Sequence, residues 1–253
     1  MIRVPSKDRA LSEPSIQFSR STWRQPVPER SSVARQEVLD GMVSMIEALG
    51  NHRLRIAIDG RTAAGKTSLG HELARDLAAR GRPVARASLD DFKRPWREAS
   101  DYDRTSGEGY YRNAFDRDTI RRLLLDPAAP DADGRSALCS IDPLTQIDHS
   151  AVATMLPLDG VLVVDGVFAC HPSLEPCWDL RIWVEIDPEL SVRRGTDRDA
   201  VMEESADDAE RLHRDRYLAS EIHYLEEVDP LSFVEVIIDN SDFDQPRLLR
   251  PDT

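Results

Sequence analysis

Residues 54–68 read LRIAIDGRTAAGKTS, a short β-branched run followed by a glycine-rich turn and the start of a helix. The segment from Gly60 to Thr67 matches the Walker A pattern GxxxxGK[ST], in which glycines let successive backbone N–H groups converge on phosphate oxygens. The helix that follows adds the positive end of its dipole. Lys66 is expected to reach the β- and γ-phosphates of a nucleotide, and the Thr67 hydroxyl to bind Mg²⁺. The sequence therefore predicts a phosphate-binding loop for Mg-ATP.

The predicted nucleotide-binding residues are the whole loop and the residue after it. They are Gly60, Arg61, Thr62, Ala63, Ala64, Gly65, Lys66, Thr67 and Ser68. The side chains of Arg61 and Thr62 could also point to solvent, because the motif leaves these two positions free.

Around this loop, short apolar runs alternate with helical stretches. Strands are predicted at residues 55–58, 83–88, 161–164, 180–186 and 234–238, and the segment 189–225 is charged and mostly helical. Strands separated by helices indicate an α/β fold with a doubly wound, parallel, five-stranded sheet. Residues 131–149 do not fit the alternation and are interpreted as an inserted hairpin or loop.

The N-terminal 30 residues differ in composition from the rest. Pro5, Pro14, Pro26 and Pro28 lie there among Ser, Arg and Gln, and such a stretch buries too little apolar surface to offset its ordering entropy. Residues 1–30 are therefore expected to be a flexible leader, and residues 31–253 a single domain. A chain of 253 residues with 40% hydrophobic content suits one sizeable core.

Charge and cysteine content narrow the classes of partner. A formal net charge of −13 repels nucleic acid. The three cysteines lack a metal-binding CxxC spacing and fit a reducing compartment. No apolar run approaches the roughly 18 residues of a membrane span. These features predict a cytoplasmic protein that acts on a small-molecule acceptor, with no nucleic-acid or membrane partner, and they are compatible with a homo-oligomer.

Two predicted strands end in carboxylates. Asp165 follows the apolar run of residues 161–164, and the carboxyl ends of parallel strands line the ligand-binding crevice of such sheets. Asp165 is therefore expected near Mg²⁺. The alternative is an ordinary strand-end turn, because Asp165-Gly166 is also a common turn pair.

Asp90 and Asp91 follow the second predicted strand. A carboxylate within hydrogen-bond reach of an acceptor hydroxyl orients and deprotonates the nucleophile in phosphoryl transfer. Asp90 is the candidate base, with a second role beside the metal, and Asp91 is assigned to the substrate. Alternatively, the two acids are a solvated helix-capping pair.

Several segments together resemble the uridine kinase family of P-loop kinases. Beside the phosphate-binding loop they are Ser88-Leu89-Asp90-Asp91-Phe92, Ala114-Phe115-Asp116 and Asp165-Gly166-Val167. The likeness spans about residues 54–249. It implies ATP-dependent phosphorylation of a nucleoside 5′-hydroxyl, with Asp90 as the base and Lys66 and Thr67 at the phosphates and Mg²⁺.

Two positions depart from that family. Asp165 stands where the family usually has Glu, and Tyr110 stands where the family has an Asp that holds the ribose hydroxyls. A tyrosine can donate one hydrogen bond or stack on a ring, but it cannot accept two hydroxyls as a carboxylate does. A kinase for another hydroxylated metabolite or a nucleoside-like natural product is therefore an alternative, and so is a non-catalytic ATP-binding regulator.

The resemblance also places a mobile lid at about residues 190–215. Arg193, Arg194 and Arg198 would lie in this lid, and Arg194 and Arg198 would act on the transferring phosphoryl group. Arg211, Arg214 and Arg216 either extend the lid or form salt bridges along a helix. The lid arginines could instead pair with nearby aspartates on a solvated face. The residues assigned to the acceptor are Asp91, Phe92, Tyr110, Tyr111, Phe115 and Arg193.

Overall fold

The structure is a computed structural model that describes residues 16–23, 27–28, 32–98, 100–103, 105–200, 203 and 205–249. The expected flexible leader lies outside the described residues at positions 1–15, 24–26 and 29–30.

The helices of the described chain are α1 (Val33–Ala48), α2 (Lys66–Ala79), α3 (Gly107–Asn113), α4 (Arg117–Thr119), α5 (Pro188–Asp199), α6 (Ala206–Arg211) and α7 (Ala219–Val228). The strands are β1 (Ile16–Phe18), β2 (Leu54–Gly60), β3 (Val84–Ser88), β4 (Arg135–Ala137), β5 (Ala153–Met155), β6 (Val161–Asp165), β7 (Leu180–Glu185), β8 (Val236–Asp239) and β9 (Arg247–Leu249). Two π-helical segments, Ile120–Leu125 and Leu212–Leu218, continue α4 and α6. Short 3₁₀ turns lie at Leu89–Phe92, Trp96–Glu98, Glu175–Cys177 and Pro230–Ser232.

Within the described residues the main sheet has seven strands in the order β1-β3-β6-β2-β7-β8-β9. All neighbours are parallel except β9, which runs antiparallel to β8. The predicted parallel α/β fold is confirmed, but the predicted number of five strands is wrong. The two additional strands, β1 and β9, are edge strands of three residues each. Such short segments contain too few positions for a period of two to be recognised.

The sheet is buried on both faces. Strand β6 is buried at every residue, and its side chains alternate between two cores, with Val161 and Val163 on one side and Leu162 and Val164 on the other. The first core also contains the apolar faces of α1 and α2, and the second is rich in aromatic rings. A continuous apolar run is the expected pattern for such a strand.

Residues 16–23 pack against the sheet and are not a detached leader. Strand β1 pairs in parallel with β3, and the Ser19 hydroxyl donates to Asp91 Oδ2 at 2.6 Å. The backbone N–H of Thr22 donates to Asp142 Oδ2 at 2.6 Å. The described part of this N-terminal segment therefore covers one edge of the sheet, next to the residues that follow β3.

The segment that breaks the strand–helix alternation forms a small antiparallel pair, β4 with β5. Strand β4 lies within the segment 131–149 that was interpreted as an inserted hairpin or loop, and its partner β5 lies just after that segment. No helix in the described ranges has both the length and the apolar character needed to cross a bilayer.

Candidate active site

A cavity of about 600 Å³ opens at the carboxyl ends of the central parallel strands. Its walls come from the phosphate-binding loop, the segments after β3 and β6, helix α5 and the second π-helix. The predicted site residues that line it are Thr62, Ala63, Gly65, Lys66, Thr67, Ser68, Asp90, Tyr110, Asp165, Arg194 and Arg198. The structure thus brings together most of the predicted nucleotide, metal and catalytic residues.

The phosphate-binding loop depends on two glycines. Gly60 has φ +140°, and an added Cβ there would collide with the backbone carbonyl of Val184. Gly65 has φ +94°, and an added Cβ would lie 2.5 Å from Asn240 Nδ2, which donates to Ala64 O at 2.7 Å. Larger residues would meet both an unfavourable backbone conformation and a steric clash.

Lys66 begins α2 and folds back over the loop. Its Nζ donates to Gly60 O at 2.9 Å and to Arg61 O at 2.7 Å. Burial lowers the pKa of Lys66, and nearby carboxylates, Glu221 foremost, oppose that shift. The ammonium group is therefore held by backbone carbonyls beside the convergent N–H groups, where phosphate oxygens would be bound.

Two buried carboxylates support the loop from behind. Asp59 accepts hydrogen bonds from Gly60 N at 2.7 Å and from the Tyr224 hydroxyl at 2.7 Å. Glu221 accepts from Thr62 N at 2.5 Å and lies 3.6 Å from Arg61. Burial raises the pKa of both acids, and their hydrogen bonds partly oppose it.

These supports were not predicted from the sequence. Glu221 lies far along the chain on α7, and Asp59 directly precedes the Walker A pattern, which specifies no residue at that position. The ion pairs of Arg61 with Glu185 and Glu221 direct its side chain away from the cavity. Its predicted contribution to nucleotide binding is thus limited to the backbone.

Thr67 and Asp165 form a pair of oxygen ligands at one end of the cavity. The Thr67 hydroxyl donates to Asp165 Oδ2 at 2.5 Å, and Arg86 Nη2 lies 2.5 Å from Asp165 Oδ1. Asp165 is the last residue of β6 and is 2% exposed, so it is not part of an exposed turn. The unpredicted Arg86 compensates its charge.

Hydroxyl and carboxylate oxygens are the ligand type that Mg²⁺ prefers. In the described part of the chain, no group of three or more His, Cys, Asp or Glu side chains gathers to hold a metal ion. The Thr67 hydroxyl and the Asp165 carboxylate fit a Mg²⁺ ion whose other ligands are nucleotide phosphates and water, as is usual for this ion.

Asp90 lies in the 3₁₀ turn after β3 and faces the cavity. Its Oδ1 is 2.9 Å from Lys93 Nζ. Burial favours the neutral acid, but the charge and hydrogen bond of Lys93 outweigh it, so the pKa of Asp90 is lowered. The carboxylate is therefore ionised at neutral pH, as a proton acceptor must be. Gly166 permits the close approach of this turn, because a Cβ there would lie 2.5 Å from Leu89 Cβ.

Asp91 points away from the main cavity. It is 2% exposed and lines a second cavity of about 180 Å³ beneath the N-terminal segment. Its Oδ2 accepts a hydrogen bond from the Ser19 hydroxyl. Burial raises the pKa of Asp91 to about 7, and hydrogen bonds from Ser19 and Ser21 partly oppose that shift. Adjacent carboxylates thus occupy two different environments, and Asp91 is not at the acceptor side as predicted.

Most of the other residues assigned to the acceptor are also elsewhere. Phe92, Tyr111 and Phe115 are buried in the aromatic core, and Arg193 is exposed on α5 and does not line the cavity. Tyr110 does line it. Tyr110 and Tyr111 are consecutive helical residues, and consecutive positions point about 100° apart around a helix. Residues that are close together in the sequence are therefore not all close together in the cavity.

One wall of the cavity, here named the acceptor wall, consists of Lys93, Arg94, Tyr110, Arg216 and Tyr217. The Arg216 guanidinium lies 4.6 Å from the Tyr110 ring centroid and 5.5 Å from that of Tyr217. Lys93 Nζ lies 5.8 Å from the Tyr110 ring centroid.

Among the three arginines that could have extended the lid, Arg211 and Arg214 form salt bridges on the helix surface. Arg216 faces the cavity instead. The π-helical segment changes the side-chain register here, which a 3.6-residue period cannot anticipate.

The predicted lid arginines hold intramolecular contacts at the cavity edge. Arg194 donates to the backbone carbonyls of Asn240 at 3.0 Å and Ser241 at 2.8 Å. Arg198 forms a paired contact with Asp199, which also bonds His213 at 2.9 Å. The contact of Asp199 with His213 joins α5 to the second π-helix, and the contacts of Arg194 join α5 to the segment after β8. The catalytic lid function of both arginines stays a prediction.

Comparisons with known proteins place this architecture among kinases. No protein-family model matches the sequence, and no curated protein matches it significantly. A solved structure of a possible uridine kinase from Bacillus stearothermophilus is 21% identical, with a TM-score of 0.61 over 80% of this chain and 97% of that chain. A protein assigned as a fructose transport system kinase from Silicibacter sp. TM1040 is also 21% identical, with a TM-score of 0.61 over 75% of this chain and 92% of that chain.

A D-glycerate 3-kinase from Cryptococcus neoformans is 13% identical, with a TM-score of 0.50 over 76% of this chain and 88% of that chain. At such identities the likeness concerns the fold. The chain thus has the fold of P-loop kinases, which confirms the fold expected from its motifs.

Proposed function

We propose that this protein is a small-molecule kinase of the uridine kinase-like type, which transfers the γ-phosphoryl group of ATP to a hydroxyl group. One observation carries the proposal. The phosphate-binding loop and an ionised carboxylate, Asp90, line the same cavity at the strand ends. A nucleotide-binding protein without catalysis needs the loop but has no need of the carboxylate.

In this mechanism the loop amides and Lys66 bind the phosphates and donate to the oxygens on which negative charge is concentrated. Asp90 orients the acceptor hydroxyl and accepts its proton as the oxygen bonds to phosphorus. Lys93 holds the Asp90 carboxylate in place and keeps it charged. Mg²⁺, held by Thr67 and by Asp165 directly or through water, would neutralise phosphate charge. Arg194 and Arg198 would close over the phosphates. Because this reaction needs Mg-ATP, the proposal places the protein in the cytoplasm.

The acceptor class is the part of the proposal that differs from the family pattern. The fold relatives include proteins whose names refer to uridine, fructose transport and D-glycerate, so the fold serves more than one acceptor. Tyr110 occupies the position at which the uridine kinase pattern has an acid, and its ring is 5% exposed and in contact with other rings. This favours a hydroxylated metabolite over uridine itself.

The test is an ADP-release assay with ATP or GTP across nucleosides, sugars and other hydroxylated metabolites, with product identity checked by mass spectrometry. Acceptor-dependent ADP release that disappears in Lys66→Ala is expected. Nucleotide binding without release for any acceptor would favour the regulatory alternative. If Mg-ATP did not bind at all, the assignment of the loop would fail.

A further inference from the structure

One cation of the acceptor wall, Arg216, is not balanced by a carboxylate of the described residues. Lys93 pairs with Asp90, and Arg198, at the cavity edge, pairs with Asp199. Arg216 has no ion-pair partner among the described residues, and its Nε is buried without a hydrogen-bond partner. Arg94, the third cation of the wall, lies 5.3 Å from the Tyr102 ring centroid.

An unpaired, partly buried guanidinium is unfavourable unless something compensates it. The ring faces of Tyr110 and Tyr217 give part of that compensation through cation–π contacts. They also restrict the guanidinium to one orientation, while its N–H groups are left for a ligand. A guanidinium presents its donors as a planar fork, which matches a carboxylate or a phosphate group.

The proposed mechanism already assigns three cations to the nucleotide. They are Lys66 of the phosphate-binding loop and Arg194 and Arg198 of α5. Arg216 comes instead from the second π-helix and lies against Tyr110, on the same wall as Lys93, the partner of Asp90. A neutral acceptor would leave this positive charge without a partner.

We infer that the acceptor is an anion, a small molecule whose reacting hydroxyl accompanies a carboxylate or phosphate group, and that Arg216 binds this group beside Tyr110. The inference rests on the proposed kinase function and specifies its substrate class.

The first experiment compares matched acceptors in the ADP-release assay. Hydroxy acids such as glycerate are compared with glycerol, and sugar phosphates with the corresponding free sugars, with nucleosides as a third set. We expect kcat/KM for one anionic set to exceed that of its uncharged counterparts by about 10- to 100-fold. The set that reacts distinguishes a carboxylate from a phosphate. A preference for neutral acceptors would overturn the inference alone, whereas no turnover with any acceptor would overturn the kinase proposal as well.

The second experiment uses Arg216→Gln, which shortens the side chain slightly and removes its charge. Arg211→Gln is the matched control, because Arg211 precedes the same π-helix but is 70% exposed. We expect Arg216→Gln to raise KM for the best acceptor about 10- to 100-fold, with KM for ATP within about twofold of the wild type. Arg216→Lys should recover only part of the loss, because it keeps the charge but not the fork.

The opposite pattern would overturn the inference. A rise in KM for ATP with an unchanged KM for the acceptor would mean that Arg216 binds the nucleotide phosphates. Circular dichroism spectra of the variants would establish that they are folded, so that either kinetic pattern can be interpreted.

Discussion

The two sides of the main cavity are built in different ways. The phosphate side comes from one continuous segment, residues 60–68, and presents mainly backbone N–H groups. The acceptor side combines the segment after β3, helix α3 and the second π-helix, and presents side chains. The shape of the phosphate side depends on the backbone conformation of its glycines. The shape of the acceptor side depends on side-chain rotamers and ion pairs.

This difference has a consequence for specificity. Phosphate is the same in every nucleotide, so a backbone cradle with two required glycines can stay constant. Acceptors differ, and side chains on separate elements can be exchanged without disturbing the loop. Changes on the phosphate side should therefore abolish activity for every acceptor, and changes on the acceptor side should alter which acceptor is used.

The largest effect is expected for Lys66→Ala, on the phosphate side. Removal of the ammonium group takes away a positive charge that faces the transferring phosphoryl group, so kcat should fall by about 1000-fold or more with every acceptor. Steady-state kinetics measures this, and the unfolding midpoint in urea checks that the fold is retained. A loss that differed between acceptors would contradict the proposed division of the cavity.

A smaller but still large effect is expected for Asp90→Asn, at the boundary between the two sides. The amide cannot accept the hydroxyl proton, so kcat should fall by about 100-fold or more. The affinity for Mg-ATP, measured by calorimetry, should stay close to that of the wild type. Unchanged turnover would assign proton acceptance to another group.

The smallest effect on turnover is expected for Asp91→Asn, the neighbour that faces the second cavity. Its pKa is about 7 in the folded protein, above the ordinary value of 3.8. The folded state therefore keeps a proton that the unfolded chain releases, and the stabilisation that results is complete below about pH 4 and is lost as the pH rises through 7.

Asp91→Asn should abolish this loss of stability at rising pH. At pH 8 the variant should be more stable to unfolding than the wild type by about 1–3 kcal/mol, and near pH 5 the two should differ less. Urea unfolding at both pH values measures this, with the exposed Asp118→Asn as the control. Equal stability differences at pH 5 and pH 8 would contradict the buried, protonated state of Asp91.

Most residues of the predicted phosphate-binding loop line the cavity, because a contiguous motif encodes the local backbone geometry of the loop. Asp90 and Asp165 were also identified correctly as cavity residues, since the carboxyl ends of parallel strands converge. The acceptor wall was largely missed. The direction of Arg216 depends on a π-helical register shift, and the roles of Arg86 and Glu221 depend on pairing between distant segments.

The aromatic assignments show the opposite error. Phe92, Tyr111 and Phe115 were assigned to the acceptor, but all three fill the aromatic core. A ring near a catalytic residue in sequence serves packing as readily as binding, and only the direction of the side chain distinguishes the two uses.

Strand β1 means that residues before the Walker A motif belong to the sheet, so a shortened form of this protein that lacks them loses a strand. A truncation to begin at Ser32 would leave one side of β3 without its neighbour, and unpaired strand edges promote association between molecules. It would also remove the Ser19 hydroxyl from Asp91, one residue away from the proton acceptor. Such a trimmed version is expected to lose solubility and activity together, although every motif that identifies the protein would still be present.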